Sequence, residues 1–488
     1  MDNKINTSCS KKGSRKNTGE GNYGTMDNFF EDIKSGSIEI ERDSFASKSG
    51  LPYDEEIVVK DPNGIVCKVK IGSIENSWKN LKILSINKFD SPKFGSPKFV
   101  PITNFLKRET SFLLKIRLLD GRQIVCSQNH IFPKMVISIN VKSYNSPESS
   151  FSIKYVNAKE LKERDNLLVL HKIPFTSNVP KYIFIPKLLN WEHKWIGIKR
   201  SDYLKFSYRK NQRTNNPLIQ LINSKFQYSR VGKKYRTLWS NLSNSEKHFL
   251  EMEAKKNHVE ILIKIHENVG FWYSSIVPLT DDFFRYLGWY VAEGSTEKNR
   301  VTISQSKEKN YNNWIEIIDL LKRLGFPVSI CGQDMIRINS NVLTELTIEL
   351  CLKLAQNKKI PFELIMNNSR IRAFLETYYK GDGCQLRGEL KKYTTTSQQL
   401  KNDLVSILGA TGHFCSIWYP SSSDNCYRIT ETDGKHYRRK YLGLLKFNST
   451  TPIRIKSIRK VKENYDVFNL NTENGWFVST NGILVQDS

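Results

Sequence analysis

Two stretches repeat one pattern, and the pattern limits what this chain can fold into. Residues 283–294 read FFRYLGWYVAEG and residues 371–383 read IRAFLETYYKGDG. Each predicts a short, largely apolar helix with small residues along one side, ending in an acid and then a glycine. The glycine suits the left-handed position just past a helix C-terminus. The acid does not suit its place. A helix C-terminus already carries partial negative charge, so Glu293 and Asp382 each need a cation beside them. Two such acids, one per copy, predict a shared divalent metal site. The plainer reading, a pair of core helices with glycine caps, explains one copy better than it explains two.

The segments downstream of the two copies are also alike. After the first, the pattern predicts a strand over 300–304, an amphipathic helix over 314–324 and strands over 327–331 and 335–339. After the second it predicts a strand over 393–396, a helix over 398–408 and strands over 415–419 and 425–429. The unit from 279 to 445 is therefore expected to be pseudo-two-fold. It would form a saddle of strands with one face packed on helices and the other left free.

The paired motifs resemble those of LAGLIDADG (dodecapeptide) homing endonucleases. In that family the two helices cross at a pseudo-two-fold axis and their acids hold metal at the scissile phosphates. Gly288, Ala292 and Gly381 match the small positions, and Thr377 departs from the usual glycine. The resemblance implies that Glu293 and Asp382 are catalytic metal ligands and that the cofactor is Mg²⁺. Residues 357–361, NKKIP, are similar to the Lys-x-Ile-Pro block of intein endonucleases. That match implies Lys358 as the active-site lysine with Lys359 as a close second; an exposed loop lysine is the alternative. A lysine near the phosphate can stabilise transition-state charge or polarise the attacking water. Lys435 or Lys446 is expected to serve the second half.

Residues 49–185 have a different texture. Residues 56–60 and 65–70 predict a hairpin around Asn63-Gly64. Short β runs continue through 113–118, a turn at Asp120-Gly121, 123–126 and 167–170, as in a compact all-β module. This part resembles the Hint (splicing) domain of inteins. Residues 121–130 match the splicing block, with Ser127 in place of threonine and His130 present. Residues 51–57 resemble an intein start, and 467–470 with 477–488 resemble the closing blocks. By this resemblance 446–488 completes the module begun at 49, and the endonuclease is inserted between. The fold class expected is α+β, a β-rich Hint module interrupted by a pseudo-two-fold α/β endonuclease domain.

The splicing chemistry is expected to be impaired. The first step needs a thiol or hydroxyl to attack the preceding carbonyl. Ser49 offers one, whereas Gly50, the other alignment of position one, does not. Asp487 replaces the asparagine that cyclises, Gln486 replaces its preceding histidine and Gly475 the histidine of the penultimate block. Ser488 stands in the downstream nucleophile's place. His130 is either the helper of the first step or an ordinary core histidine.

Residues 186–278 resemble neither flank. Between 191 and 240 basic residues far outnumber the two acids, Glu192 and Asp202, and aromatic residues interleave. Lys199, Arg200, Arg209, Lys210, Arg213, Arg230, Lys233, Lys234 and Arg236 are the expected DNA contacts, with a solvated basic surface as the bland alternative. A helix is expected over 245–267. Residues 1–48 are polar and predict a disordered arm. The formal charge of +26 on 488 residues points to a polyanion, and double-stranded DNA with a long specific site is the expected partner. The eight cysteines are scattered without a Cys-x-x-Cys pair, which excludes a zinc module and a disulfide framework as readings. No stretch approaches a membrane span. The expectation is an intracellular, monomeric nuclease, nuclear if eukaryotic and otherwise cytoplasmic. A self-processing protein with a dead nuclease, or a maturase-like protein that binds DNA or RNA without cutting, are the alternatives.

Overall fold

The computed structural model describes residues 49–86, 96–140, 148–170, 173–175, 178–189, 191–207, 216–230, 233–256, 259–265, 271–385, 390–420, 425–432 and 450–487. The expected arm over 1–48 lies outside them, as do Arg209, Lys210, Arg213, Lys435, Lys446 and Ser488. The fold mixes helix and strand.

The β-rich part forms around a long antiparallel ribbon. Strands Pro97–Leu118 and Thr450–Thr472 pair along most of their length, with register shifts that bend them. Leu51–Pro52 pairs with Val467 and Phe468, and Thr450 to Arg454 pair with Asn166–Leu170. Segments far apart in sequence therefore share one sheet. The hairpin Glu56–Lys60 and Val66–Lys70 turns at Gly64, whose φ of +84° is left-handed, and the Asp61 carboxylate accepts the Ile65 N–H at 2.7 Å. Leu51, Ile57, Ile116, Ile124, Phe132, Leu167, Phe477 and Val485 fill its core.

The middle part builds a five-stranded sheet. Its order is Gln227–Ser229, Lys234–Leu238, Trp195–Lys199, Ile261–Lys264 and Tyr273–Ser274. The helix expected over 245–267 is shorter, Asn244–Lys255, started by a capping box between Ser243 and Glu246. The run Ile261–Lys264 is strand because two β-branched isoleucines at period two face the core, both buried.

The repeat from 281 onward folds as two like halves. Helix Asp281–Glu293 leads to Gly294–Glu297, Arg300–Ser304, helix Tyr311–Arg323, Val328–Cys331 and Met335–Asn339. Helix Asn368–Asp382 leads to Gly383–Gln385, Lys391–Thr395, helix Gln398–Ala410, Phe414–Trp418 and Tyr427–Thr432. Both four-stranded sheets share one strand order. The short strand directly after each motif was not legible in sequence, being only three or four residues long. Helix Asn341–Cys351 belongs to the first half alone among the described residues.

The second half docks on the β-rich part. Ile417 donates its N–H to the Asp120 carbonyl at 2.6 Å, and the Arg117 guanidinium lies 4.4 Å from the Tyr419 ring centroid. A side chain at Gly121 would collide with the Ile417 carbonyl.

Candidate active site

The two motif helices start alike. The Thr280 and Asn367 side chains accept the N–H groups of Phe283 and Ser369. They cross where side chains are small. A Cβ on Gly288 would collide with the Thr377 hydroxyl and come within 2.5 Å of the Phe374 carbonyl oxygen. A Cβ on Gly381 would lie 2.6 Å from that of Ala292 and 3.0 Å from Glu293 Cγ. Thr377, the departure from the motif, donates its hydroxyl to the Arg285 carbonyl of the facing helix at 2.8 Å. The hydroxyl thus bonds across the crossing instead of wedging it open.

Gly294 and Gly383 are not left-handed, contrary to expectation. Their φ, ψ values are −89°, 150° and −101°, 158°, extended backbone open to any residue. Space selects glycine there instead. A Cβ on either would press into the tyrosine four residues earlier, Tyr290 or Tyr379, and into its carbonyl.

The close crossing brings Glu293 and Asp382 together at the helix ends. Burial raises the Glu293 pKa above the usual carboxylate range, and the Lys358 charge opposes it. Asp382 is pushed up to about 7, first by burial and then by the Glu293 charge, against Lys358. The cation that the helix ends require is thus present in the chain. Lys358 is buried, and its Nζ donates to the carbonyls of Tyr290 at 2.6 Å, Val291 at 3.0 Å and Gly294 at 2.7 Å. These are the open carbonyls at the end of the first motif helix. Burial lowers the Lys358 pKa to about 8, against the charges of Cys351, Asp382 and Glu293. All three ammonium hydrogens are taken, so Lys358 acts on the acids through its field and not by donating to a water.

Lys359, the close second to Lys358, lines a different surface. Its side chain lines a cavity of about 770 Å³ with Gln356 and Glu363, between the repeat and the β-rich part. Lys358 is the lysine whose charge acts on both acids. The two lysines point apart because the segment is pinned in extended form. The Lys358 carbonyl accepts from the Ser397 hydroxyl at 2.7 Å, and the Lys359 N–H donates to the Cys351 carbonyl at 3.1 Å.

Each sheet offers a face away from its core. In the first, Val301, Ile303, Ile336 and Ile338 point inward, so Arg300, Thr302, Arg337 and Asn339 share the other side. In the second, Tyr393 and Ile429 point inward, leaving Lys392, Thr430, Arg428 and the exposed Trp418. Sequence reasoning anticipated a free face without naming these residues; the alternation of buried isoleucines was the signal that finds them.

The middle sheet sorts its charges the same way. Ile196, Ile198, Ile261 and Ile263 face inward. Lys199 stands opposite Lys234, Gly197 opposite Arg236, and Trp195 opposite Lys264, all on the other face. Trp272 packs over Gly197, and Lys234 and Lys264 both lie 5.8 Å from its ring. Arg236 lies 4.9 Å over Trp195 and Arg200 5.6 Å over Tyr228, while Lys199 pairs with Glu260. Arg230 and Lys233 flank the adjacent turn, with Lys233 at φ +48°. Lys264 was missed because it lies outside the densest basic run.

At the start of the β-rich part, Ser49, Ser127 and His130 come together. Ser49 Oγ lies 3.1 Å from His130 Nδ1 and accepts from Asn469 Nδ2 at 3.2 Å. The Gly50 N–H donates to Ser127 Oγ at 3.0 Å. Position 50 excludes a side chain, since a Cβ there would lie 2.9 Å from the Phe468 carbonyl oxygen. Complete burial lowers the His130 pKa to about 3, and its Nε2 has no partner among the described residues. Asp487 lies apart from this cluster, its carboxylate accepting the Thr472 N–H at 2.7 Å and hydroxyl at 3.0 Å. Burial raises its pKa. Asn469 was missed; an amide set between the apolar Phe468 and Leu470 was its signal.

No family model matches the chain. Among curated proteins it is similar to the DNA polymerase of Thermococcus sp. (strain GE8), 27% identical over 206 residues, covering 41% of this chain and 12% of the polymerase. The DNA polymerase of Thermococcus kodakarensis is 28% identical over 200 residues, covering 37% and 12%. The matched stretch thus spans about an eighth of these relatives. Among solved structures the chain is similar to mesophilic variants of the homing endonuclease I-DmoI, at 14% identity and a TM-score of 0.26, covering 33% of this chain and 93% of that one. It is also similar to the transcription factor IIB Mvu mini-intein, at 19% identity and a TM-score of 0.19, covering 26% and 71%.

Proposed function

We propose that this chain is a metal-dependent, site-specific double-strand DNA endonuclease of the LAGLIDADG type, lodged in an intein-like β-module whose splicing is impaired. One observation carries the reading: two acids, at the ends of two helices that cross through small residues, share one buried lysine. In this reading 49–185 and 446–488 form the β-module, 186–278 the accessory DNA-contact region and 279–445 the nuclease. Both acids come from one chain, so it acts as a monomer. A match to one eighth of a polymerase transfers no polymerase chemistry.

The donor set fits Mg²⁺. Glu293 and Asp382 offer carboxylate oxygens at a site where their mutual repulsion and the helix ends favour a cation, and Mg²⁺ is held by one or two carboxylates with water and phosphate completing the shell. Bound there, the ion supplies Lewis acidity at the phosphate and a more acidic water. Lys358 favours the ionised form of both carboxylates against their burial and fixes the end of the first helix. Arg300, Arg337, Lys392 and Arg428 align the duplex across the free sheet faces, and the basic face around Lys234 and Arg236 extends the contact.

The test is incubation with a randomised duplex library, or the source organism's genomic DNA, in Mg²⁺ and in EDTA. Metal-dependent cuts at one sequence, lost in Glu293→Gln and Asp382→Asn with binding retained, are expected. Tight binding without cuts would move the chain to the non-cleaving class.

The Ser49–His130 contact favours a second, compatible activity. The Ser49 oxygen attacks the preceding peptide carbonyl, and the peptide nitrogen leaves with the proton, giving an ester that water opens. Refolded protein is expected to release a fragment beginning at residue 49, and Ser49→Ala to release none. An intact chain in both would exclude it.

A further inference from the structure

The chemistry of the Ser49 cluster does not explain why the β-module packs so closely on the nuclease. A buried ion pair at their junction does. Lys68, on strand Val66–Lys70, sends its ammonium to Asp403 Oδ1 at 2.9 Å, and the two side chains are 4% and 2% exposed. The same ammonium donates to the Asn402 carbonyl at 3.2 Å and lies 4.6 Å over the Phe362 ring. The other Asp403 oxygen accepts the Ile360 N–H at 2.9 Å. Gln399 bridges Asp403 Oδ1 at 3.2 Å to the Glu56 carboxylate at 2.9 Å. With the Ser397 bond to the Lys358 carbonyl, one helix, Gln398–Ala410, holds the lysine segment on both sides of Lys359.

Within this junction the charges are not interchangeable. Asp403 can accept from a main-chain N–H in a buried place because a full positive charge faces its second oxygen, and that charge comes from the β-module. We propose that Lys68 is a positioning residue for the nuclease site: through Asp403 it fixes the segment that carries Lys358, so that the β-module completes the site without touching DNA there. The inference rests on the nuclease reading.

Lys68→Met keeps the stem over Phe362 and strands the Asp403 charge. Using the duplex recovered from the library, the cleavage rate at saturating DNA is expected to fall about tenfold or more, while the Kd for the same duplex in Ca²⁺ stays within about threefold. Amide exchange across 352–366 is expected to speed up, reporting the loosened Ile360 N–H without any turnover. The double variant Lys68→Met with Asp403→Asn removes the stranded charge and keeps an oxygen for that N–H; it is expected to recover most of the lost rate. Lys68→Met that cuts at the wild-type rate would overturn the inference alone. So would a double variant no better than the single one, or two variants that both lose DNA binding, since the pair would then only hold the fold. A wild-type chain that cuts nothing would overturn the nuclease reading and take this inference with it.

Discussion

Lys358 spends all three N–H donors on main-chain carbonyls, and that decides what its replacement does. Lys358→Met is expected to lower cleavage at least about a hundredfold, because both acids then lean further toward their neutral forms. Lys358→Arg is not expected to rescue it, since a planar guanidinium cannot cap three converging carbonyls. Asp382→Asn is expected to abolish cutting yet raise the melting temperature at pH 8 by about 2–6 °C, read by calorimetry. The sign is set by the pKa: a carboxyl raised to about 7 in the folded state favours the protonated form, so stability is lost as pH climbs from 3.8 through 7. His130 gives the opposite dependence. An unfolded histidine protonates below 6.5, whereas folded His130 resists to about 3. The unfolded chain binds more protons in that window, so stability falls as pH drops from 6.5 towards 3, by up to about 1.4 kcal/mol per pH unit. Acid unfolding of His130→Asn is expected to show a shallower slope. The acids were legible in sequence because each violates the charge preference of a helix end. The Lys358 contacts were not, because its acceptors are carbonyls 64 to 68 residues away, and every residue has a carbonyl.

At the scale of elements, the crossing of the two motif helices depends on Gly288 facing Thr377. Gly288→Ala forces the helices apart against a main-chain oxygen that cannot yield, and is expected to cost about 1–3 kcal/mol in denaturant melts along with most of the cleavage. Thr377→Ala loses the hydroxyl that is shared between the facing Arg285 carbonyl and the Phe374 and Ala373 carbonyls of its own helix, and is expected to cost about 1 kcal/mol. The repeat of helices and strands was readable because apolar residues recur at period 3.6 or 2, as in Tyr311–Arg323 and Arg300–Ser304. Three- and four-residue strands carry too few positions for a period. The cap glycines were misread for a different reason. Glycine after a helix is selected by dihedral freedom or by space, and sequence does not separate the two.

At the scale of the molecule, positive charge is concentrated on the sheet face that carries Lys199, Lys234, Arg236 and Lys264. Like charges set opposite one another across strands, as Lys199 and Lys234 are, weaken a free sheet and favour a bound polyanion. Lys234→Ala and Arg236→Ala are each expected to weaken binding to all duplexes alike and to reduce the salt slope by about 1, measured by titration in rising salt. The basic excess announced this in the sequence; which residues share a face waited for the strand register. The contact between Gly121 and Ile417 has a consequence of another kind. The turn Asp120-Gly121 sits just upstream of Ser127 and His130, yet what presses on it is Ile417, on strand Phe414–Trp418 of the repeat's second half. Under the proposed function, a side chain at Gly121 is expected to disturb the nuclease half as well as the Ser49 cluster. A single turn thus answers to two neighbours at once, and neither can be reshaped without the other.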